Sequence, residues 1–250
     1  MTTNLDSYTP SADLMKGRVT LVTGAGDGIG RTVALALAAH GSTVLLLGRT
    51  TRKLEKVHDE ILEAGGPQPA ICPLNLEKAT MDDYAALAAA IDGEHGRLDG
   101  LLHNAGVLGG LSPIEHYDPM TWHTVMHVNL GAVFLLTQNL YSLLKKSEDA
   151  SVVFTSSGVG RKSRAYWGAY AVSKFGTEAL MQTLAEETRE SGVMRANCIN
   201  PGATRTAMRL QAFPSEDRDA LKTPEDILKP YLFLLGPDSK GVTGESLDAQ

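Results

Sequence analysis

The sequence predicts an α/β fold: a doubly wound Rossmann arrangement with a single parallel sheet of about seven strands and helices on both faces. Three observations predict it. Short β-branched or leucine-rich runs alternate with longer segments of helical apolar spacing, the mark of repeated strand–helix units. The first such run empties into a glycine-rich turn followed by an alanine-rich segment. Of the 250 residues, 43% are apolar and 21% charged, enough to bury one sizeable core.

The runs fall in order along the chain. The first, Val19-Thr20-Leu21-Val22-Thr23, is followed by runs at 43–47, 70–73, 98–103, 151–155 and 196–200, with a short last one at 246–248. Between them, helical spacing begins near Ile29, Thr51, Thr80, Pro119, Ala165 and Pro224. The polar stretch Ala203 to Thr223, with Pro214 and clustered acids, argues against a regular element. Residues 1–16 read as a loosely attached leader, and 17–250 as one domain.

Composition excludes several functions. With 23 basic and 29 acidic residues the net charge is −6, so no cationic field gathers nucleic acid or anionic lipid. Cys72 and Cys198 are too few for a disulfide framework or a metal site, and fit packing in a reducing compartment. No basic-then-apolar leader and no apolar run of roughly 20 residues is present, which points to the cytoplasm and to no membrane partner.

The glycine turn, Gly24-Ala25-Gly26-Asp27-Gly28-Ile29-Gly30, sits between a strand and a helix start. That position aims backbone N–H groups and the positive end of a helix dipole at one point, which suits a pyrophosphate. In register it reads Gly24-x-x-x-Gly28-x-Gly30. Ile29 occupies the third glycine position of Gly-x-Gly-x-x-Gly, and the Lys-Ser/Thr of a P-loop is missing. A ligand-free turn and the S-adenosylmethionine loop of a methyltransferase are the alternatives. The latter expects an acid at the end of the second strand, where this chain has Gly48-Arg49. Glycine followed by arginine leaves room and charge for a 2′-phosphate, so NADP(H) is expected ahead of NAD(H). Arg52 and Lys53 would add to that rim or merely face solvent, whereas Asp27 would repel a phosphate.

Ser157 lies thirteen residues before Tyr170, and Lys174 four after it. A helix places Tyr170 and Lys174 on one face, where an ammonium favours the phenolate of a group with an ordinary pKa near 10. The serine hydroxyl would hold a substrate oxygen near the phenol. By chance, 7 tyrosines and 11 lysines give roughly 0.3 such pairs, and about 0.02 with the serine required.

With these residues the chain resembles the short-chain dehydrogenase/reductase family, over about Gly17 to Asp248. Thr23 to Gly30, Asn104-Ala105-Gly106, Asn129, the Ser157/Tyr170/Lys174 set and Pro201-Gly202 with Thr206 match its motifs. Phrases such as Leu-Leu-Gly-Arg and Leu-His-Asn-Ala-Gly resemble its bacterial YciK-type branch. The resemblance implies that Tyr170 exchanges the proton and that Lys174 lowers its pKa and bonds the nicotinamide ribose. Ser157 would orient the carbonyl, and Asn129 would hold a water that links Lys174 to solvent. Thr23, Gly24, Asp27, Gly28, Ile29, Gly30 and Arg49 would surround the phosphates, and Asn75 and Leu76 the adenine. Asn104, Ala105 and Gly106 would pass the adenosine ribose, with Pro201, Gly202, Thr204 and Thr206 at the carboxamide. The substrate implied is a small carbonyl or alcohol, covered by a segment at about 203–223, in a homodimer or homotetramer. Three departures stand out: His103 for an asparagine, Asn75 for an aspartate, and a tail without closing glycines. A non-catalytic dinucleotide-binding sensor or scaffold is the competing function, and the intact Ser-Tyr-Lys-Asn set argues against it.

Overall fold

The computed structural model describes residue 5 and residues 7–250. Along the chain run β1 (Val19–Thr23), α1 (Gly28–Ala39), β2 (Thr43–Gly48), α2 (Thr51–Glu63), β3 (Ala70–Pro73) and α3 (Met81–His95). They are followed by β4 (Gly100–His103), α4 (Pro119–Met126), α5 (Ala132–Lys145), β5 (Ala150–Thr155) and α6 (Gly168–Thr188). The chain ends with β6 (Met194–Asn200), α7 (Ala207–Ala212), α8 (Leu228–Leu235) and β7 (Ser246–Asp248). All seven strands pair in parallel in the order β3-β2-β1-β4-β5-β6-β7. The order reverses at β1, which pairs with both β2 and β4, and this opens the crevice at the strands' carboxyl ends where doubly wound sheets bind ligands.

Successive side chains on each strand feed opposite cores, as a period of two requires. Leu21, Leu45, Leu101, Val152 and Phe154 pack under α3, α5 and α6. Val22, Leu46, Leu102, Val153 and Ile199 pack under α1, α2 and α8. Burial on both faces is why these strands read as runs rich in β-branched and leucine residues without a polar alternate face. Helix starts carry local signals: Thr80 and Asp83 form a capping box on α3, and Asp118 caps α4 ahead of Pro119.

Four expectations need correction. First, the leader is not loose where it is described. Leu5, Leu14 and Met15 are buried in the core under α1 and α8, Met15 N–H donates to His40 O at 2.9 Å, and Tyr8 packs edge-on to Phe233. Residues 1–4 and 6 of that leader lie outside the described residues. Second, the polar stretch 203–223 contains α7, whose first turn is capped by the Thr206 hydroxyl accepting from Arg209 N–H at 3.1 Å. Third, α6 begins at Gly168 rather than near Ala165, because Tyr166 has a left-handed backbone, φ 74°, that a helix cannot include. Fourth, the helix from Pro119 is interrupted by a π-turn, His127–Gly131, that carries Asn129.

Candidate active site

A cavity of about 700 Å³ opens along the carboxyl ends of β1, β2, β4, β5 and β6. It brings together Gly24, Asp27, Gly28, Ile29, Arg49, Asn75, Leu76, Asn104, Ala105 and Gly106 with Ser157, Tyr170, Lys174, Pro201, Gly202, Thr204 and Thr206. Thr23, Gly30 and Asn129 stand behind that wall and act through their neighbours.

Gly24 leaves β1 with φ 69°, turning the chain under the start of α1. Gly30 then packs so closely that a Cβ there would stand 2.3 Å from Gly24 O and 2.5 Å from Asn104 Nδ2. Thr23 joins this turn to the next one: its Oγ1 accepts from Asn104 N–H and Ala105 N–H, both at 2.9 Å. The second and third N–H groups of α1, at Ile29 and Gly30, have no carbonyl to bond within the helix. A cradle that a single methyl would fill, beside free helix-end donors, fits a pyrophosphate. Asp27 caps the helix through Gly28 N–H at 2.8 Å and pairs with Lys53 Nζ at 2.5 Å. The bonded ammonium holds the Asp27 carboxyl below the usual carboxylate range and largely cancels the repulsion expected of it. Lys53 is thereby spent, while exposed Arg49 makes no ion pair among the described residues and faces the cavity.

Tyr170 and Lys174 share a face of α6, with Lys174 Nζ 5.7 Å from the Tyr170 ring centre. Ser157 stands on the same cavity at the exit of β5 and pulls the phenol's pKa down. Burial dominates this pair's chemistry. It pushes Tyr170 up to about 12, against the smaller pull of Ser157, and Lys174 down to about 8. The phenol stands above its ordinary value, not below it as the sequence suggests, because desolvation at Tyr170 dominates.

Lys174 Nζ donates to Thr155 O at 2.6 Å. Four residues on, buried Glu178 accepts from Ser156 Oγ at 2.5 Å and Ser246 Oγ at 2.9 Å, with Arg161 Nε 3.5 Å away. One face of α6 therefore grips two consecutive residues at the end of β5, and the next residue is Ser157. Asn129 does not face the cavity: its Oδ1 accepts from Val107 N–H at 2.8 Å, and its Nδ2 donates to Val107 O at 2.9 Å and Ser173 Oγ at 3.1 Å. It ties the loop after β4 to α6. His103 is a core residue, stacked on Phe154 at 4.9 Å and bonded to Thr137 Oγ1 at 2.9 Å. Burial first, and Lys174 second, push it down to about 3, so it stays neutral.

Sequence reasoning missed Trp167 and Leu108, which line the cavity near Tyr170 together with Met208. It also missed Glu178. The signals for Trp167 and Glu178 were their spacings of three before Tyr170 and four after Lys174, which put both beside the same stretch of α6.

A profile of the short chain dehydrogenase family matches residues 18–217. The chain belongs to that family. As a short chain dehydrogenase it is 52% identical over 243 residues to the oxidoreductase YciK of Escherichia coli (strain K12), covering 97% of this chain and 96% of YciK. Its structure is similar to that of a short chain dehydrogenase from Pseudomonas syringae, at 57% identity and TM-score 0.96 over 97% of this chain and 98% of that one. It is also similar to a short chain dehydrogenase of Escherichia coli CFT073 solved with NADPH, at 53% identity and TM-score 0.94 over 96% and 100%.

Proposed function

We propose that this short chain dehydrogenase uses NADP(H) to interconvert a carbonyl and an alcohol, with Ser157, Tyr170 and Lys174 as its reacting set. The carrying observation is that the buried phenol lines the same cavity as Ser157, Lys174 and the glycine turn. NADPH, when bound, supplies the hydride to the carbonyl carbon. Ser157 orients the carbonyl oxygen, Tyr170 gives that oxygen its proton, and Lys174 offsets the negative charge left near the phenol. A phenol kept protonated by burial suits reduction. The described residues act as one cytoplasmic domain in this reading, with Leu14 and Met15 part of its core, and 203–223 covers the substrate. Among the described residues no helix is long and apolar enough to cross a membrane. Exposed Phe134 on α5, and Val172 and Phe175 on α6, support a homodimer or homotetramer.

The 2′-phosphate falls to Arg49. Oxidation of NADPH and NADH with a panel of aldehydes and ketones, followed by nicotinamide absorbance, tests both halves of the reading. KM should be lower for NADPH, and Arg49→Ala should raise that KM by about tenfold or more while leaving the KM for NADH little changed. A lower KM for NADH that ignores the substitution would refute the preference.

The activity should also depend on pH through Lys174. Reduction needs its charged form, so kcat is expected to fall as pH rises through about 8. The Glu178 carboxylate raises the Lys174 pKa by Coulomb attraction, and removing that anion lowers it. Glu178→Gln should therefore move the falling limb to lower pH. An unmoved limb would show that Glu178 does not support the ammonium.

A further inference from the structure

The wall around Tyr170 is apolar. Leu108, Trp167, Met208 and Ala212 line the cavity there and with Tyr170 belong to a third hydrophobic cluster, which Val107 joins to the core under α3, α5 and α6. The Trp167 indole lies between two rings, 5.7 Å from Tyr170 and 5.8 Å from Phe213, so it forms a supported flat surface beside the phenol.

Charge on the cavity is committed elsewhere. Asp27 and Lys53 neutralise each other, and Arg49 and Glu77 stand at the ends of β2 and β3, across the sheet from β5 and Tyr170. Arg209 is the cation that α7 brings to this wall. Its guanidinium makes a two-pronged pair with Glu216 and lies 3.9 Å over the Phe213 ring. An anionic substrate pressed against this wall would lose its hydration and, among the described residues, meet no cation there other than paired Arg209 and Lys174, which already donates to Thr155 O. Gln211 Nε2 donates to Gly109 O at 3.3 Å, linking α7 to the loop after β4.

Resting on the oxidoreductase reading above, we propose that the substrate is an uncharged cyclic ketone, or the matching secondary alcohol, whose ring lies against Trp167. In reduction the carbonyl carbon takes a hydride, its oxygen takes the Tyr170 proton, and the two electrons come from NADPH. The chain then reclaims a proton from water.

The test compares cyclohexanone with 4-oxocyclohexane-1-carboxylate, the same ring bearing a charge, on the NADPH-loaded protein. The neutral ketone should have kcat/KM about 100-fold higher, because the carboxylate is desolvated without a partner. Glu216→Gln frees Arg209, and should narrow that ratio by about tenfold by improving the charged ketone. Equal kcat/KM for the two ketones in the parent protein would overturn the proposal. Binding gives a separate readout: cyclohexanone should quench indole emission of the NADP⁺-loaded protein, and Trp167→Phe should abolish that change. If neither ketone is reduced but cyclohexanone still quenches selectively, the oxidoreductase reading falls and the ligand class stands. If the carboxylate quenches equally, the ligand class falls.

Discussion

Tyr170→Phe is expected to lower kcat by about 10²–10⁴ while leaving NADP(H) affinity nearly unchanged. The substitution removes one oxygen and little else. The ring is 8% exposed, so phenylalanine fills the same space against Trp167 and keeps its position beside Lys174. The lost group is the one suited to hold a proton for the substrate. Burial pushes the phenol up to about 12, so it is protonated throughout the neutral range, whereas the Lys174 ammonium is already committed to Thr155 O. Ser157 has a hydroxyl, but with an acidity far too low to replace a phenol. Steady-state kinetics paired with a fluorescence titration of the cofactor would check this. A variant that keeps more than about a tenth of the parent's turnover would remove Tyr170 from the mechanism.

Gly30→Ala is expected to abolish useful cofactor binding and to destabilise the protein, although alanine is the better helix former by about 1 kcal/mol. The new methyl would stand 2.3 Å from Gly24 O and 2.5 Å from Asn104 Nδ2. Neither neighbour can move freely. Gly24 is the turn itself, and the Asn104 amide donates to Thr23 O at 3.1 Å while its N–H is held by Thr23 Oγ1. Relief must come from shifting α1 away from β1, which displaces the helix-end donors from the pyrophosphate. Overpacking of this kind costs about 1–3 kcal/mol, and loss of the aligned donors should weaken NADP(H) by about 100-fold. Gly93→Ala makes a paired control. That residue lies inside α3 with nothing within 4 Å of a Cβ, so the same chemical change should stabilise the protein by about 0.5–1 kcal/mol. Thermal melts and a cofactor titration distinguish the two. If Gly30→Ala melted no lower than its parent and bound NADPH as tightly, the close approach would not matter.

The strands were legible almost residue by residue because a parallel strand buried on both faces is built mostly from β-branched and leucine residues, and residues 44–47 in β2 show this directly. Tyr170 and Lys174 could be placed side by side for a similar reason, since four residues is one helical turn. The misses have a common cause as well. The π-turn at His127–Gly131 carries no compositional mark, and the bonds from Asn129 to Val107 and Ser173 come from residues 22 and 44 positions away. Leu14 and Met15 look like stray apolar residues in a polar leader until α1 and α8 supply the surface they cover. In α7 the Thr206 cap was available, but Pro214 and the acids that follow outweighed it, although they lie beyond the helix end.

From its residues alone, this chain determined which chemical groups it owns and which of them share a strand face or a helix face, because those relations repeat over two to four positions. The tertiary structure decided how those groups behave. It set Lys53 against Asp27 and Glu216 against Arg209, moved Asn129 behind the wall, laid Trp167 beside the phenol, and pushed Tyr170 up rather than down. Desolvation and pairing depend on what surrounds a group in space, and for most of these residues those neighbours come from other elements of the fold.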